Sequence, residues 1–421
     1  MQIGLHESYE TKLLHRFMKF VVLVEFSWRG HHPTIFKVRA KELLELGTQV
    51  LALCPQPKEV TDWISMHVPE AAARFHALEF FEAQKLPLPD PRLQSLAASV
   101  LALYRTAQII RDPRRNPFGE PSLVMFSYLY GTKWVFPSLA DWLLPYPWTC
   151  VLLQATRILH NWTKDSLWRR KSVVDRLTLL RTRHCCAVLT YNERIPSALS
   201  RALDGKPVFA IPDVTDLEKP DFDWPVAKEI KARARGRRII GLFGNLCRDK
   251  GYLALLGAAQ ILDRERYFFV LAGTLVISPR DAEEWALWHG HPTLREENVL
   301  VHPKRMPQEA AYNALVSLSD VLFMAYRDFP ESSNNMVKAA HFRKPIIVSA
   351  GHLMEFRTRL YRLGAVITEE DAIECAAAVE ELTDPEWSRK TNPLFDEFAN
   401  EQSEERSRAV LTEVLEMPKL K

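Results

Sequence analysis

The chain has 421 residues, 47% of them apolar, which suits two domains of ordinary size with substantial cores. Its 55 basic and 52 acidic residues leave a formal net charge of +3, so there is no global field for nucleic acid. The apolar-looking stretch 137–155 holds Asp141 and three prolines, short of the roughly 20 uninterrupted residues that a membrane-spanning helix needs.

Acidic and histidine residues precede Lys19 and only a short apolar run follows, so residues 1–17 read as an N-terminal extension without a signal peptide, with Met18 as an alternative start. Cys54, Cys150, Cys185, Cys186, Cys247 and Cys375 form no CxxC pair and lie mostly in apolar runs, as free thiols in a reducing cytosol would. A cytoplasmic protein, at most peripheral to the inner face of a membrane, is the expectation.

Strand-like and helical runs alternate from there. The pattern predicts a strand over 20–26, a helix over 34–46 capped by Gly47, and strands over 49–54, 122–128, 149–154, 187–191 and 208–211. A proline-rich, charged stretch follows, read as a linker over 215–236 that ends in a short helix. The alternation restarts with strands over 238–243, 267–272, 299–302, 321–325 and 345–348, and a charged helical run over 395–415 ends the chain. Alternation of this kind implies parallel strands with helical crossovers. The expected fold class is α/β: two doubly wound, Rossmann-like domains, 18–214 and 237–394, facing across a cleft, with 395–421 returning to the first. Ligands of such sheets bind outside the carboxyl ends of the strands.

At the first strand's carboxyl end, FSWRGHHPTIF places Gly30, His31 and His32 together. Imidazole titrates near neutrality, so either histidine is a candidate acid/base or hydrogen-bond donor to a transferred group; the alternative is a solvated loop. The strand over 149–154 ends at Gln154, which cannot act as a base but can position a hydroxyl, and His160 follows as a weaker candidate. Residues 161–184 carry Trp162, Trp168 and seven Lys or Arg residues, a composition for an anionic membrane surface or for a docked crossover helix with Val173, Leu177 and Leu180 inward.

The most informative stretch is 237–275. A buried strand runs into FGNLCRDKGY, where Gly244 and Gly251 permit close backbone approach and Arg248 and Lys250 stand beside the start of a helix, an arrangement suited to a diphosphate. The spacing is neither that of a Walker A loop nor Gly-x-Gly-x-x-Gly. A second constellation, DVLFMAYRDFPESSNNMVKAAHFR, puts Glu331 in a loop and Ser332, Ser333 and Asn334 as N-caps of a helix starting near Ser333, a second anion site.

Together these segments resemble the B-type (GT-B) glycosyltransferases, specifically the group related to sucrose and glycogen synthases. GNLCRDKG is similar to that group's Gly-Arg-Leu-x-x-x-Lys-Gly diphosphate loop, ESSNNMVKAAHFRKPIIVS to its donor-sugar loop and helix, and VLTYNERIPSALSRALDGKPVFAIPDVTD to the end of its first domain. The strand, loop, helix and strand over 20–55 are the fourth likeness. The resemblance implies a nucleotide-sugar donor as co-substrate, a glycan, lipid-linked or small-molecule acceptor, and transfer with neither cofactor nor metal. Lys250 corresponds to the lysine that neutralises the donor diphosphate. Asn245 stands where the group has its arginine, leaving Arg248 to supply charge.

The group's paired glutamates fall on Pro330 and Lys338, with Glu331 one step on. A lysine only donates and cannot take a ribose-binding carboxylate's part. Lys338 then binds phosphate or a carboxylated sugar, or is a surface salt bridge, or marks a decayed site. Two rivals to a transferase remain: a noncatalytic binding partner on the same scaffold, and a nucleotide-sugar epimerase or phosphorylase.

Overall fold

Apolar runs bounded by turn residues become strands covered on both faces, as parallel sheets flanked by helices require. The structure is a computed structural model that describes residues 19–28, 30–88, 90–129, 136–164, 175–277 and 282–417. It divides into two units, one comprising the chain up to Ile211 together with the segment from Glu404, the other Pro212–Ser403.

The first unit holds β1 (Phe20–Val24), β2 (Gln49–Cys54), β3 (Phe75–Glu79), β4 (Leu123–Leu129), β5 (Trp148–Leu152), β6 (Cys185–Thr190) and β7 (Val208–Ala210). They pair in parallel in the order β3-β2-β1-β4-β5-β6-β7. The second holds β8 (Arg238–Phe243), β9 (Tyr267–Ala272), β10 (Val299–His302), β11 (Val321–Met324), β12 (Ile346–Ser349) and β13 (Gly364–Ile367). These run parallel in the order β10-β9-β8-β11-β12-β13. Both sheets are doubly wound, and each reverses its strand order at one place, between β1 and β4 and between β8 and β11. Loops diverge there and leave a crevice at the carboxyl edge.

β3 and β13 have no counterpart among the expected strands. β3 is an edge strand with half-exposed side chains, and β13 is four residues long and starts on glycine, so neither shows a continuous apolar run. The start of the expected linker belongs to the second unit, where Asp213, Thr215 and Asp216 are buried, and the short helix expected after it is Pro225–Ala234, with Ala227, Ile230 and Ala234 buried.

The basic run over 161–184 is not one helix in its described part. The Ala155–Lys164 helix carries Trp162, and Thr178–Arg181 is a 3-10 turn with Leu177 and Leu180 in the core. Residues 165–174, with Trp168 and Val173, lie outside the described residues, as do 1–18.

The charged run over 395–415 breaks after Glu401. The Phe395–Glu401 helix packs on the Asn334–His341 helix of the second unit, and Glu404–Glu416 packs on His32–Glu45 of the first. That second contact centres on a buried arginine. Arg39 donates to Glu42 Oε2 and Ser407 Oγ, both at 2.6 Å, and all three side chains are buried. Burial pushes the Glu42 carboxyl above its usual range although Arg39 pulls it down. Arg408 to Glu45 (2.7 Å), Lys41 to Glu404, and Lys19 Nζ to the Leu415 carbonyl (2.8 Å) complete the seam.

Removing one partner of a buried pair strands the other. Arg39→Met is therefore expected to cost about 3 kcal/mol in urea unfolding, and Arg39→Met/Glu42→Leu to recover most of it. Equal losses in the single and double variants would show that the stranded Glu42 carboxylate is not the source of the cost.

Candidate functional site

In the second unit, the loop after β8 turns through Arg248–Lys250 and enters the Tyr252–Ile261 helix at Gly251. Gly251 has φ +67°, and a Cβ there would lie 2.1 Å from the Ala325 carbonyl oxygen. Only glycine both adopts that backbone readily and lets the loops after β8 and β11 meet main chain to main chain. Two hydrogen bonds reinforce the contact: Arg327 N–H to the Asp249 carbonyl at 2.9 Å and Asn335 Nδ2 to the Phe243 carbonyl at 3.1 Å. Asn335 is itself oriented by the Tyr312 hydroxyl at 2.7 Å.

Cations collect at this junction. The Lys250 ammonium lies 3.6 Å from the centre of the Tyr326 ring and 5.6 Å from that of Phe329, which fixes its stem. Arg248 reaches Glu283 at 3.2 Å and Glu370 at 3.7 Å, and Arg327 reaches Glu370 at 3.1 Å. Beneath them the hydroxyls of Tyr252 and Tyr326 are buried with no hydrogen-bond partner, and burial, with Glu284 adding, pushes the Tyr252 phenol up to about 12. Asn245 is exposed and Gly244 is half-buried at φ +112°.

The Asn334–His341 helix starts at the opposite lip of this crevice, with Ser333 as N-cap. The expectation that Ser332, Ser333 and Asn334 cap it by their side chains is corrected: no side-chain cap bond forms. Ser332 donates to Asp213 Oδ2 (2.8 Å) and accepts from Arg357 (2.7 Å), while Asn334 accepts from Thr215 (2.6 Å) and donates to the Val214 carbonyl (2.8 Å). These side chains hold the 213–215 strap, and the first turn of the helix carries no acidic residue of its own. Glu331 is half-buried in the preceding loop.

Lys338 also departs from expectation. Its ammonium is buried and donates to the Asp216 carbonyl (2.7 Å), Asn313 Oδ1 (2.7 Å) and Glu309 Oε2 (2.8 Å). An ammonium has three protons, so none is left for a phosphate. Lys338 is an internal tie between its helix, the Glu309–Leu318 helix and the strap, not a surface lysine.

In the first unit, Glu25 and His32 meet at the carboxyl end of β1. His32 opens the His32–Glu45 helix and is buried, with Nδ1 3.1 Å from Glu25 Oε2. Glu25 is fully buried, and its Oε1 accepts the Phe26 and Ser27 amides at 2.9 and 2.8 Å. A carboxylate only accepts, so the pair puts a proton on Nδ1. The Tyr128 ring, at the end of β4, stacks edge-on 4.6 Å from His32. His31 and Gly30 are exposed in the turn just before. Gln154, exposed beyond β5, has φ +61°, uncommon for a side-chain-bearing residue, while His160 is exposed on the Ala155–Lys164 helix. Among the described residues no three His, Cys, Asp or Glu side chains gather as metal ligands. No helix among them is long and apolar enough to cross a membrane.

Sequence reasoning missed Glu25, Asn335, Tyr326 and Glu370. Glu25 ends an apolar strand as its lone acid, which was the one available signal.

No protein-family profile matches the chain, and no curated protein matches it by sequence. Among solved structures it is similar to sucrose-phosphate synthase from Thermosynechococcus elongatus, with 16% identity, 94% of this chain and 98% of that chain covered, and a TM-score of 0.64. It is also similar to HepE of Anabaena in complex with UDP-glucose (14% identity, 94% and 98% covered, TM-score 0.62). A third likeness is to WaaG, a glycosyltransferase involved in lipopolysaccharide biosynthesis (11% identity, 95% and 100% covered, TM-score 0.60). At such identities the likeness is one of fold: the chain has the two-domain fold of the B-type glycosyltransferases.

Removing the buried Lys338 ammonium takes a donor from Asn313 Oδ1 and leaves the Asp216 carbonyl only its longer bond, 3.4 Å, from Asn313 Nδ2. Lys338→Met is expected to lower stability by about 2–4 kcal/mol in denaturant unfolding and to raise amide exchange over 213–218. A loss below about 0.5 kcal/mol, the range of ordinary surface substitutions, would contradict the internal tie.

Proposed function

We propose that the chain is a glycosyltransferase that binds a nucleoside-diphosphate sugar in the second unit and passes the sugar to an acceptor bound by the first. The observation that carries this reading is the crevice between β8 and β11, where Lys250, Arg248, Arg327 and a helix N-terminus converge on one backbone-to-backbone junction. A leaving diphosphate gains charge as the glycosidic bond breaks, and fixed cations and a helix dipole stabilise that charge. Transfer on this design takes no cofactor and no metal, because Lys250 and its neighbours supply the positive charge.

His32, oriented by Glu25, is the group we assign to hydrogen bonding or proton transfer at the acceptor side, with His31, Gly30 and Gln154 around it and His160 further out. Glu331 is assigned to the donor-sugar side of the crevice. HepE binds UDP-glucose and UDP in its structures, so UDP is the first nucleotide to test. The acceptor class we assign is a glycan or a lipid-linked sugar, the latter meeting the basic run over 161–184.

A second reading, a noncatalytic nucleotide- or glycan-binding protein on the same scaffold, is favoured by one observation. Pro330 and Lys338 stand where the resembling group has its paired glutamates, and Lys338 is an internal tie. Release of free sugar or a transferred product from UDP-sugar would exclude it.

Lys250→Ala is expected to weaken UDP binding at least tenfold, about 1.4 kcal/mol, in calorimetry without metal, and to leave the melting temperature within a few degrees of wild type. Wild-type affinity in a folded Lys250→Ala protein would remove the loop from the reading.

A further inference from the structure

We propose that Glu370 is a built-in counterion of the cation cradle in the second unit, and that a bound diphosphate displaces it. The ligand's identity rests on the nucleotide-sugar reading; the displacement rests on the ion pairs themselves.

Glu370 lies in the turn between β13 and the Ala372–Leu382 helix, at φ +59°, a backbone region that side-chain-bearing residues seldom occupy. From there Oε1 reaches Arg327 Nε at 3.1 Å and Arg248 Nε at 3.7 Å. Its neighbour Glu369 ties the same turn to the loop after β11, accepting the Asp328 amide at 2.9 Å, and Asp328 is itself at φ +39°. Two positive-φ residues on facing loops therefore bring one carboxylate against two guanidiniums. Strain of this kind persists where the surroundings over-determine it, and it gathers at ligand sites.

The placement of those guanidiniums makes the carboxylate a ligand mimic. The Arg327 amide is bonded to the Asp249 carbonyl, and Arg248 and Lys250 bracket the residue between them, so all three cations belong to one junction. The Glu370 side chain is two-thirds covered, so its pairs are less screened than that of Glu283, which also reaches the Arg248 guanidinium and is three-quarters exposed; Glu284 accepts the Arg248 backbone amide. A diphosphate that enters must replace the Glu370 pairs and offers more charge than they do. A monophosphate also carries more charge than one carboxylate, so Glu370 lowers the affinity of the cradle for any phosphate that must displace it.

The test is calorimetric titration of the full chain, and of Glu370→Gln and Glu370→Gly, with inorganic pyrophosphate, UDP and UMP, with melting curves as the folding control. Expected are at least threefold tighter pyrophosphate and UDP binding in both variants, with UMP changing in the same direction. Equal affinities in wild type and both variants would overturn the counterion and leave the nucleotide reading intact. Tighter pyrophosphate binding with no UDP binding by any form would uphold the counterion and refute the nucleotide reading. Silence towards both ligands in folded proteins would overturn both.

Discussion

The cation-bearing crevice of the second unit depends on a close approach, the Gly251 main chain against the Ala325 carbonyl. A parallel sheet whose strand order reverses between β8 and β11 sends the two following loops apart, which opens the crevice. The glycine contact and the Arg327 amide bond to Asp249 tie those loops again below it. What remains is a rigid lip bearing Lys250, Arg248 and Arg327, none of which would be gathered if a Cβ held the loops apart. The positions of Tyr326 under Lys250 and Asn335 against the Phe243 carbonyl follow from the same junction. The first unit repeats the topology between β1 and β4, and there it assembles Glu25, His32 and Tyr128.

Charges in this molecule divide between two tasks. Lys338, Arg39 and Glu42 are buried and spend their hydrogen bonds on internal ties, one sewing the 213–218 strap into the second unit and the other docking the Glu404–Glu416 helix onto the first. Such groups are costly to bury and costly to unpair, which confines them to one geometry. Arg248, Arg327 and Lys250 are partly exposed, and two of them lean on carboxylates that water can reach. Cations in that condition can exchange one anion for another.

Much of the architecture was legible in the sequence because buried parallel strands read as short apolar runs. β8, β9 and β10 begin and end where the apolar runs do, whereas half-exposed β3 and the four-residue β13 give no such signal. The glycine-cation loop was legible for a related reason: its residues are contiguous. Groups joined only by the fold were not. Lys338 meets Asp216 across 122 positions, and Glu370 meets Arg248 from a different loop, so neither the lysine's internal role nor the counterion has a local pattern. The side chains of Ser332 and Asn334 fit a cap by type, yet the strap, which the sequence presents as a polar linker, takes their hydrogen bonds instead.

The central claim is a place: a diphosphate site at the β8–β11 crevice. Hydrogen exchange with and without UDP locates it most directly. Protection confined to 244–252 and 326–336, with little change elsewhere in the second unit, is the predicted result; binding that leaves those two loops unprotected while protecting another part of the chain would contradict it.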